Sequence, residues 1–192
     1  MNRFTAEQKL DMAIDMAKSL TDIHEMPEGI VVHGDYHPDQ YLTRKNDGNR
    51  MVLGDFNNAV ILKQNITSGH FCPFHTGGHG WGNFLAPEYY LRGGSDVNES
   101  SDIFAYGNTL YGLLTGLYIF YDTDSDKEMR ERLRNGILPA IDPRYRTRSY
   151  IEGRLVQIIE QCWSFSPARR PSASQILEYL LETKKQYLGG RQ

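Results

Sequence analysis

The chain has 192 residues, 40% of them hydrophobic, with 21 Lys and Arg against 24 Asp and Glu and a formal net charge of −3. That suits one ordinary globular domain with a sizeable core, and the charge balance advertises no nucleic-acid face. Two cysteines, Cys72 and Cys162, are too few for a disulfide framework, so a reducing compartment and a cytoplasmic address are the default expectation.

The N-terminal stretch "MNRFTAEQKLDMAIDMAKSL" carries early acids and no long apolar run, so it does not read as a secretory signal. From Thr5 to about Glu25 the pattern is helical, with Leu10, Ile14, Ala17, Leu20 and His24 on one face and Thr5 with Gln8 as a capping box. The apolar pair Val31 and Val32 reads as the end of a strand or helix feeding the polar loop "HGDYHPDQ" at 33–40. Two strand-like runs follow, "YLTR" and "RMVLGDF", and Asp47-Gly48 between them suits a hairpin turn. Residues 63–85 show no period and read as a long loop, a feature that in a compact domain usually carries function.

After Pro87 the chain turns helical. "SDIFAYGNTLYGLLTG" is apolar nearly all round and predicts a central buried helix. "LYGLLTGLYIFY" is too short and too broken by Gly to cross a bilayer. "DTDSDKE" predicts a solvated acidic loop before a short charged helix ending near Gly136. Leu155, Ile158, Ile159 and Cys162 define the face of another helix. The last helix is capped by Ser172 with Gln175, and its Ile176, Leu177, Leu180 and Leu181 are expected inward. The fold class is mainly α with a small β-hairpin, in one unit over 1–192.

Five short patterns then fall in one order: "HGDYHPDQ", "DFN" at 55–57, "APE" at 86–88, "SDIFAYG" and "CWSFSPARRP". Together they resemble the C-terminal lobe of the eukaryotic protein kinase family, whose catalytic loop runs His-Arg-Asp, Lys-Pro, Asn and whose metal turn is Asp-Phe-Gly. The resemblance implies a catalytic loop at 33–40, a metal turn at 55–57, an activation segment at 55–88 and a helical subdomain at 89–185. It also implies ATP- and Mg²⁺-dependent phosphoryl transfer to a protein hydroxyl, Ser/Thr in preference to Tyr. Such transfer needs positioning and charge neutralisation more than covalent help.

By that resemblance Asp35 accepts the proton of the incoming hydroxyl, and Asp55 holds Mg²⁺ as a hard oxygen ligand. Asp35 and Asp55 stand 20 positions apart, close to the family's spacing. Gln40 stands where an Asn holds the second metal, His37 where a Lys touches the phosphate, and Leu42 where a residue floors the adenine pocket. Glu88 and Arg170 match an ion pair tying the activation segment to the last helices. Asp102 matches an acid that accepts catalytic-loop N–H bonds, and His33 and Phe56 match packing positions.

Departures pull the other way. Gly34 replaces the Arg that pairs with a phosphorylated activation loop, so phosphorylation at Thr67, Ser68 or Thr76 has no such partner. Asn57 replaces the Gly of the metal turn. No Gly-rich loop, strand Lys or partner Glu precedes Thr5, so the family's N-terminal lobe is missing from these residues; a longer gene product could supply it. The chain alone is therefore expected to bind ATP weakly and turn over little. The competing reading is a pseudokinase or truncated lobe used as a binding scaffold for a protein partner. A third is a small-molecule phosphotransferase of the aminoglycoside or choline kinase type, whose loop also resembles His-Gly-Asp-x-His-Pro but which lacks the Ala-Pro-Glu and Cys-Trp landmarks.

Three tempting motifs are set aside. "GGHGWGN" at 77–83 follows no strand and reads as loop glycines rather than a nucleotide cradle. His70, Cys72, His75 and His79 have zinc-like spacing, but a His-rich loop is favoured. Asp122, Asp124 and Asp126 open like a calcium loop, yet Lys127 and Leu133 occupy the positions that need Gly and Glu.

Overall fold

The computed structural model describes residues 3–48, 50–76, 84–123 and 125–190. The first helix, α1 (Ala6–His24), starts where the sequence says: the Thr5 hydroxyl accepts from the Gln8 N–H while the Gln8 side chain accepts from the Thr5 N–H. Two orphan donors are thereby satisfied reciprocally. Leu10, Ala17, Leu20 and His24 are buried, and Ile14 packs against the core from a half-buried position.

Next come β1 (Val31–Val32), β2 (Tyr41–Arg44), β3 (Arg50–Leu53) and β4 (Val60–Ile61). β2 pairs with β3 antiparallel from Tyr41 opposite Leu53 to Arg44 opposite Arg50, so the hairpin loop is longer than a two-residue turn. Gly48 alone of Asp47-Gly48 takes a positive φ, at 63°. β1 pairs with β4, Val31 opposite Ile61 and Val32 opposite Val60. Strands of two residues are too short to show a period, so this second ladder is absent from the sequence reading.

The long loop 63–85 also contains more order than its composition suggests. β5 (Phe74–Thr76) pairs with β6 (Ser95–Val97), and Gln64 bridges Phe71. Glycine is needed at Gly94, where φ is +84° and an added Cβ would stand 1.9 Å from the Thr76 carbonyl oxygen. "GGHGWGN", with His79, lies outside the described residues.

The helical body consists of α2 (Ser100–Thr115), α3 (Asp126–Arg134), α4 (Tyr145–Arg148), α5 (Tyr150–Cys162) and α6 (Ala173–Gly189). α2 is buried on most sides, from Ser101 through Tyr111, as expected of a central helix. It packs close to α5: a Cβ on Gly107 would lie 2.9 Å from the Cys162 Cβ and 3.0 Å from the Trp163 ring. α6 carries the second capping box, Ser172 with Gln175. Its inward face is Ile176 and Leu180; Leu177 is half-buried and Leu181 is 49% exposed, so the predicted inward position of Leu181 is corrected. The described buried side chains of α1, α2, α5 and α6 join one hydrophobic cluster. No helix of the described residues is long and apolar enough to cross a membrane.

Ionic groups inside this body are paired. Lys9 on α1 donates to the Leu114 carbonyl at 3.0 Å and to Glu152 on α5 at 3.2 Å, and Arg148 also bonds Glu152. Arg170 grips Glu88 with two parallel bonds of 2.6 and 2.8 Å, the geometry that makes an Arg–carboxylate pair strong. It donates as well to the Ser164 and Ser100 carbonyls. This anchors the 3-10 turn Pro87–Tyr90 to the start of α6, as the two residues' positions in the sequence led one to expect.

Candidate active site

Two loops carry the acids, and the topology sets them side by side. Loop 33–40 leaves β1 and enters β2; loop 54–59 leaves β3 and enters β4. Because β2 pairs with β3 and β1 with β4, both loops span the same two ladders. Three bonds stitch them: the Gly54 N–H donates to the Gln40 carbonyl at 2.8 Å, His33 Nε2 donates to the Gly54 carbonyl at 3.0 Å, and the Asn58 amide donates to Asp35 at 3.2 Å. His33 Nδ1 accepts from the Asp35 N–H at 3.4 Å, which assigns the ring proton to Nε2. The fully buried His33 also rests its ring 5.1 Å from that of Phe56, although Phe56 itself is 45% exposed.

Asp102, at the start of α2, holds the backbone of loop 33–40 from beneath. Its Oδ2 accepts from the His33 N–H at 2.7 Å and its Oδ1 from the Gly34 N–H at 3.0 Å. His24 Nε2 completes the set at 3.0 Å from Oδ2. A buried carboxylate with three donors is well satisfied, and it fixes where Asp35 starts. Below the loop, Tyr41 donates to the Tyr36 hydroxyl at 2.5 Å, and burial pushes both phenols up from their ordinary value.

Asp35 Oδ2 accepts two amide donors, from Gln40 at 3.1 Å and Asn58 at 3.2 Å. Its Oδ1 lies 3.8 Å from His37 Nε2. The Gln40 amide nitrogen is also 2.9 Å from His37 Nε2. With that nitrogen donating to both neighbours, neutral His37 carries its own proton on Nδ1, which stands 3.8 Å from Asp39 Oδ2. Asp55 is exposed, lies at φ 55°, and its Oδ1 receives the Asn57 N–H at 3.4 Å. A non-glycine residue in the left-handed region is uncommon and marks a place where the surroundings over-determine the backbone.

Gly34 is required by its place. Its φ is +75°, and a Cβ there would stand 2.7 Å from the Asn58 carbonyl oxygen. Of the sequence-predicted residues, Asp35, His37 and Gln40 form one hydrogen-bonded group, with Asp55 on the adjoining loop. Leu42 is 71% exposed on β2, opposite Val52, which is 39% exposed. Among the described residues no group of three or more His, Cys, Asp or Glu side chains is placed so that it could hold a metal ion. His75 Nδ1 is instead 3.1 Å from Asp96 Oδ1, and Asp122 accepts from Arg132 at 2.7 Å.

Asn58 and Asn108 escaped the sequence reading. Asn108, fully buried on α2, accepts from Trp163 Nε1 at 2.7 Å and donates to the Phe84 carbonyl at 2.8 Å. The Phe84 ring in turn lies 5.9 Å from that of His37. Neither asparagine has a neighbour in sequence that signals its partner.

An acid loop held by a central helix, a second acid turn on the adjoining crossover and a buried Glu–Arg tie are compatible with part of a kinase-like fold. The chain belongs to the protein kinase domain family, whose model matches residues 2–181. It is similar to the serine/threonine-protein kinase VIK of Arabidopsis thaliana, at 25% identity over 94% of this chain and 39% of that protein. It is also similar to the lectin-domain containing receptor kinase VI.3 of the same plant, at 31% identity over 90% of this chain and 24% of that one. A probable serine/threonine-protein kinase of Dictyostelium discoideum, gdt8, is 27% identical over 90% of this chain and 12% of its own. The chain thus spans well under half the length of these curated relatives.

Proposed function

We propose that this chain is the part of a Ser/Thr protein kinase that binds the metal turn to the catalytic loop and presents a protein hydroxyl to ATP. The observation that carries the reading is the stitching of loops 33–40 and 54–59 between shared ladders, which brings the loops that hold Asp35 and Asp55 side by side. The relatives named as serine/threonine kinases support the substrate class.

In this reading the two amide bonds on Oδ2 hold the Asp35 carboxylate in one orientation and leave Oδ1 for the incoming alcohol proton. Asp55 fits a hard cation: it is an exposed carboxylate with a single long backbone bond. Bound Mg²⁺ would neutralise the nucleotide phosphates. Gln40 fits less well, because the atom it turns toward Asp35 and His37 is the amide nitrogen, which cannot ligate a cation. Its role here is to clamp Asp35. His37 would offer a phosphate its Nδ1–H. The exposed face of Leu42 and Val52 offers apolar surface to the adenine.

The scaffold reading draws on two observations. Gly34 has no room for the regulatory Arg, and Gln40 is committed to Asp35. Both lower the expected rate without removing either acid. The test is transfer of the ATP γ-phosphate to Ser/Thr peptides, by residues 1–192 and by the longest product of the coding sequence. Transfer by the longer product that falls at least about 100-fold in Asp35→Asn supports the reading. Transfer unaffected by Asp35→Asn and Asp55→Ala, or absent from both proteins, supports the scaffold.

A further inference from the structure

A cavity of about 630 Å³ lies where the end of α1 meets the starts of α2 and α6. None of the described residues that line it belongs to the two acid loops. Its size lies within the roughly 300–1,000 Å³ of ligand-binding sites. Ile30, Ile103, Pro171 and Ala173 give it apolar surface, and of these Ile103 and Ala173 are buried.

Hydrogen-bonding capacity decides which charge can enter. Arg170 lines the cavity, yet each of its three guanidinium nitrogens is already bonded, to Glu88, to the Ser164 carbonyl or to the Ser100 carbonyl. At the start of α2 the Ser100 N–H is taken by Asn98 Oδ1, and the Ser101 and Asp102 N–H groups by the Asn98 and Glu99 carbonyls. The start of α6 is closed by its capping box. Acceptors, by contrast, remain. Glu25 and Glu99 both line the cavity, and neither carboxylate has an ion-pair or hydrogen-bond partner among the described residues. His24, only 7% exposed, lines it too. Its Nε2 is spent on Asp102, so in the neutral ring Nδ1 is an acceptor, and that atom has no partner among the described residues. Glu25 stands at the carbonyl end of α1, where the helix dipole adds negative partial charge. An anion would meet two carboxylates and a spent arginine; a cation meets acids that lack a partner.

An Arg side chain suits this mixture of surfaces. Its apolar stem packs along hydrophobic surface while the guanidinium brings five donors in a planar fork to carboxylates. A polyamine spreads its ammonium groups along the chain and would set charge against the apolar part. We infer that this cavity is the docking site for a protein segment that inserts an Arg side chain, with Glu25 and Glu99 receiving its guanidinium. The inference is independent of the phosphoryl-transfer reading, because it uses neither Asp35 nor Asp55.

The experiment is NMR titration of residues 1–192 with the capped tripeptide Leu-Arg-Leu, with Leu-citrulline-Leu, spermidine and inorganic phosphate as the other probes. The Arg peptide is expected to bind in roughly the millimolar range and to shift the Ile30 and Ile103 methyls and the Ala173 amide. Citrulline, neutral and close to Arg in shape, should weaken binding at least about tenfold, and so should Glu25→Gln combined with Glu99→Gln. Glu25 is exposed and Glu99 half-buried, and thermal melting checks that the double variant folds. No shift, equal binding of the citrulline peptide, binding unchanged in the double variant, or shifts confined to other residues overturns the proposal. Spermidine binding tighter than the Arg peptide, with the same shifts, would assign a small polycation instead and overturn it. Shifts of these residues by phosphate would make this an anion site and overturn it as well.

Discussion

Replacing Gly34 by alanine perturbs the junction between the two acid loops with a single methyl group. The residue sits at φ +75°, and the new Cβ would lie 2.7 Å from the Asn58 carbonyl oxygen, closer than real Cβ contacts come. A left-handed backbone costs a residue with a side chain roughly 1–2 kcal/mol, and forced overpacking roughly 1–3 kcal/mol, so about 2–5 kcal/mol of stability should be lost. The neighbour that must yield is backbone, and Asn58 is also the residue whose amide donates to Asp35 at 3.2 Å. The damage should therefore reach the Asp35 carboxylate. Urea denaturation followed by tryptophan fluorescence gives the first quantity, and the NMR shift of the Asn58 side-chain amide gives the second. Gly34→Arg, which restores the family's usual residue, should fare no better, because the same backbone must carry it. A loss below about 0.5 kcal/mol, within the range of ordinary surface changes, would refute this account of the loop.

The two glycines of α2 should respond with opposite signs. Gly107→Ala forces a methyl against Cys162 and Trp163 at 2.9 and 3.0 Å and should cost about 1–3 kcal/mol in denaturant titrations. Gly112→Ala meets no contact shorter than 3.5 Å and should gain up to about 1 kcal/mol from helix propensity. Acid should weaken the α1–α5 junction through Glu152, whose carboxyl is held below its ordinary 4.5 by the Arg148 bond first and by Lys9 as well. A depressed folded value means that the contribution is whole above the ordinary carboxylate range and vanishes as pH falls through the folded one. Melting temperatures from pH 7 down to 3 should thus converge between native protein and Glu152→Gln at the acid end; a constant gap would contradict the assignment.

How much of this was legible in the sequence depends on the range of the interaction. The capping boxes of Thr5 with Gln8 and Ser172 with Gln175 are local, and both formed where the residues stand. The central helix announced itself because its apolar residues leave no polar face. Leu181 misled because it follows Leu180 in an apolar run, while one residue's rotation carries it to the surface. The pairing of β1 with β4, two residues each, was illegible, and yet it is what aligns the acid loops. Of the supports around the acid loops, Asp102 and the Glu88–Arg170 pair were legible through the resemblance, and the asparagines were not. The partners of Asn58 and Asn108 lie 23 or more positions away, beyond any local pattern. The departure at Gly34 was visible, but its cause, the approach of the Asn58 carbonyl, is a tertiary fact.

The account stands or falls on whether Asp55 and Asp35 serve one nucleotide. Paramagnetic broadening by Mn²⁺-ATP, read on the backbone amides of the two loops, tests this directly. The account predicts broadening at 33–40 and 54–58 together, lost from both in Asp55→Ala while the fold persists. Broadening centred elsewhere, or unchanged by Asp55→Ala, would contradict it.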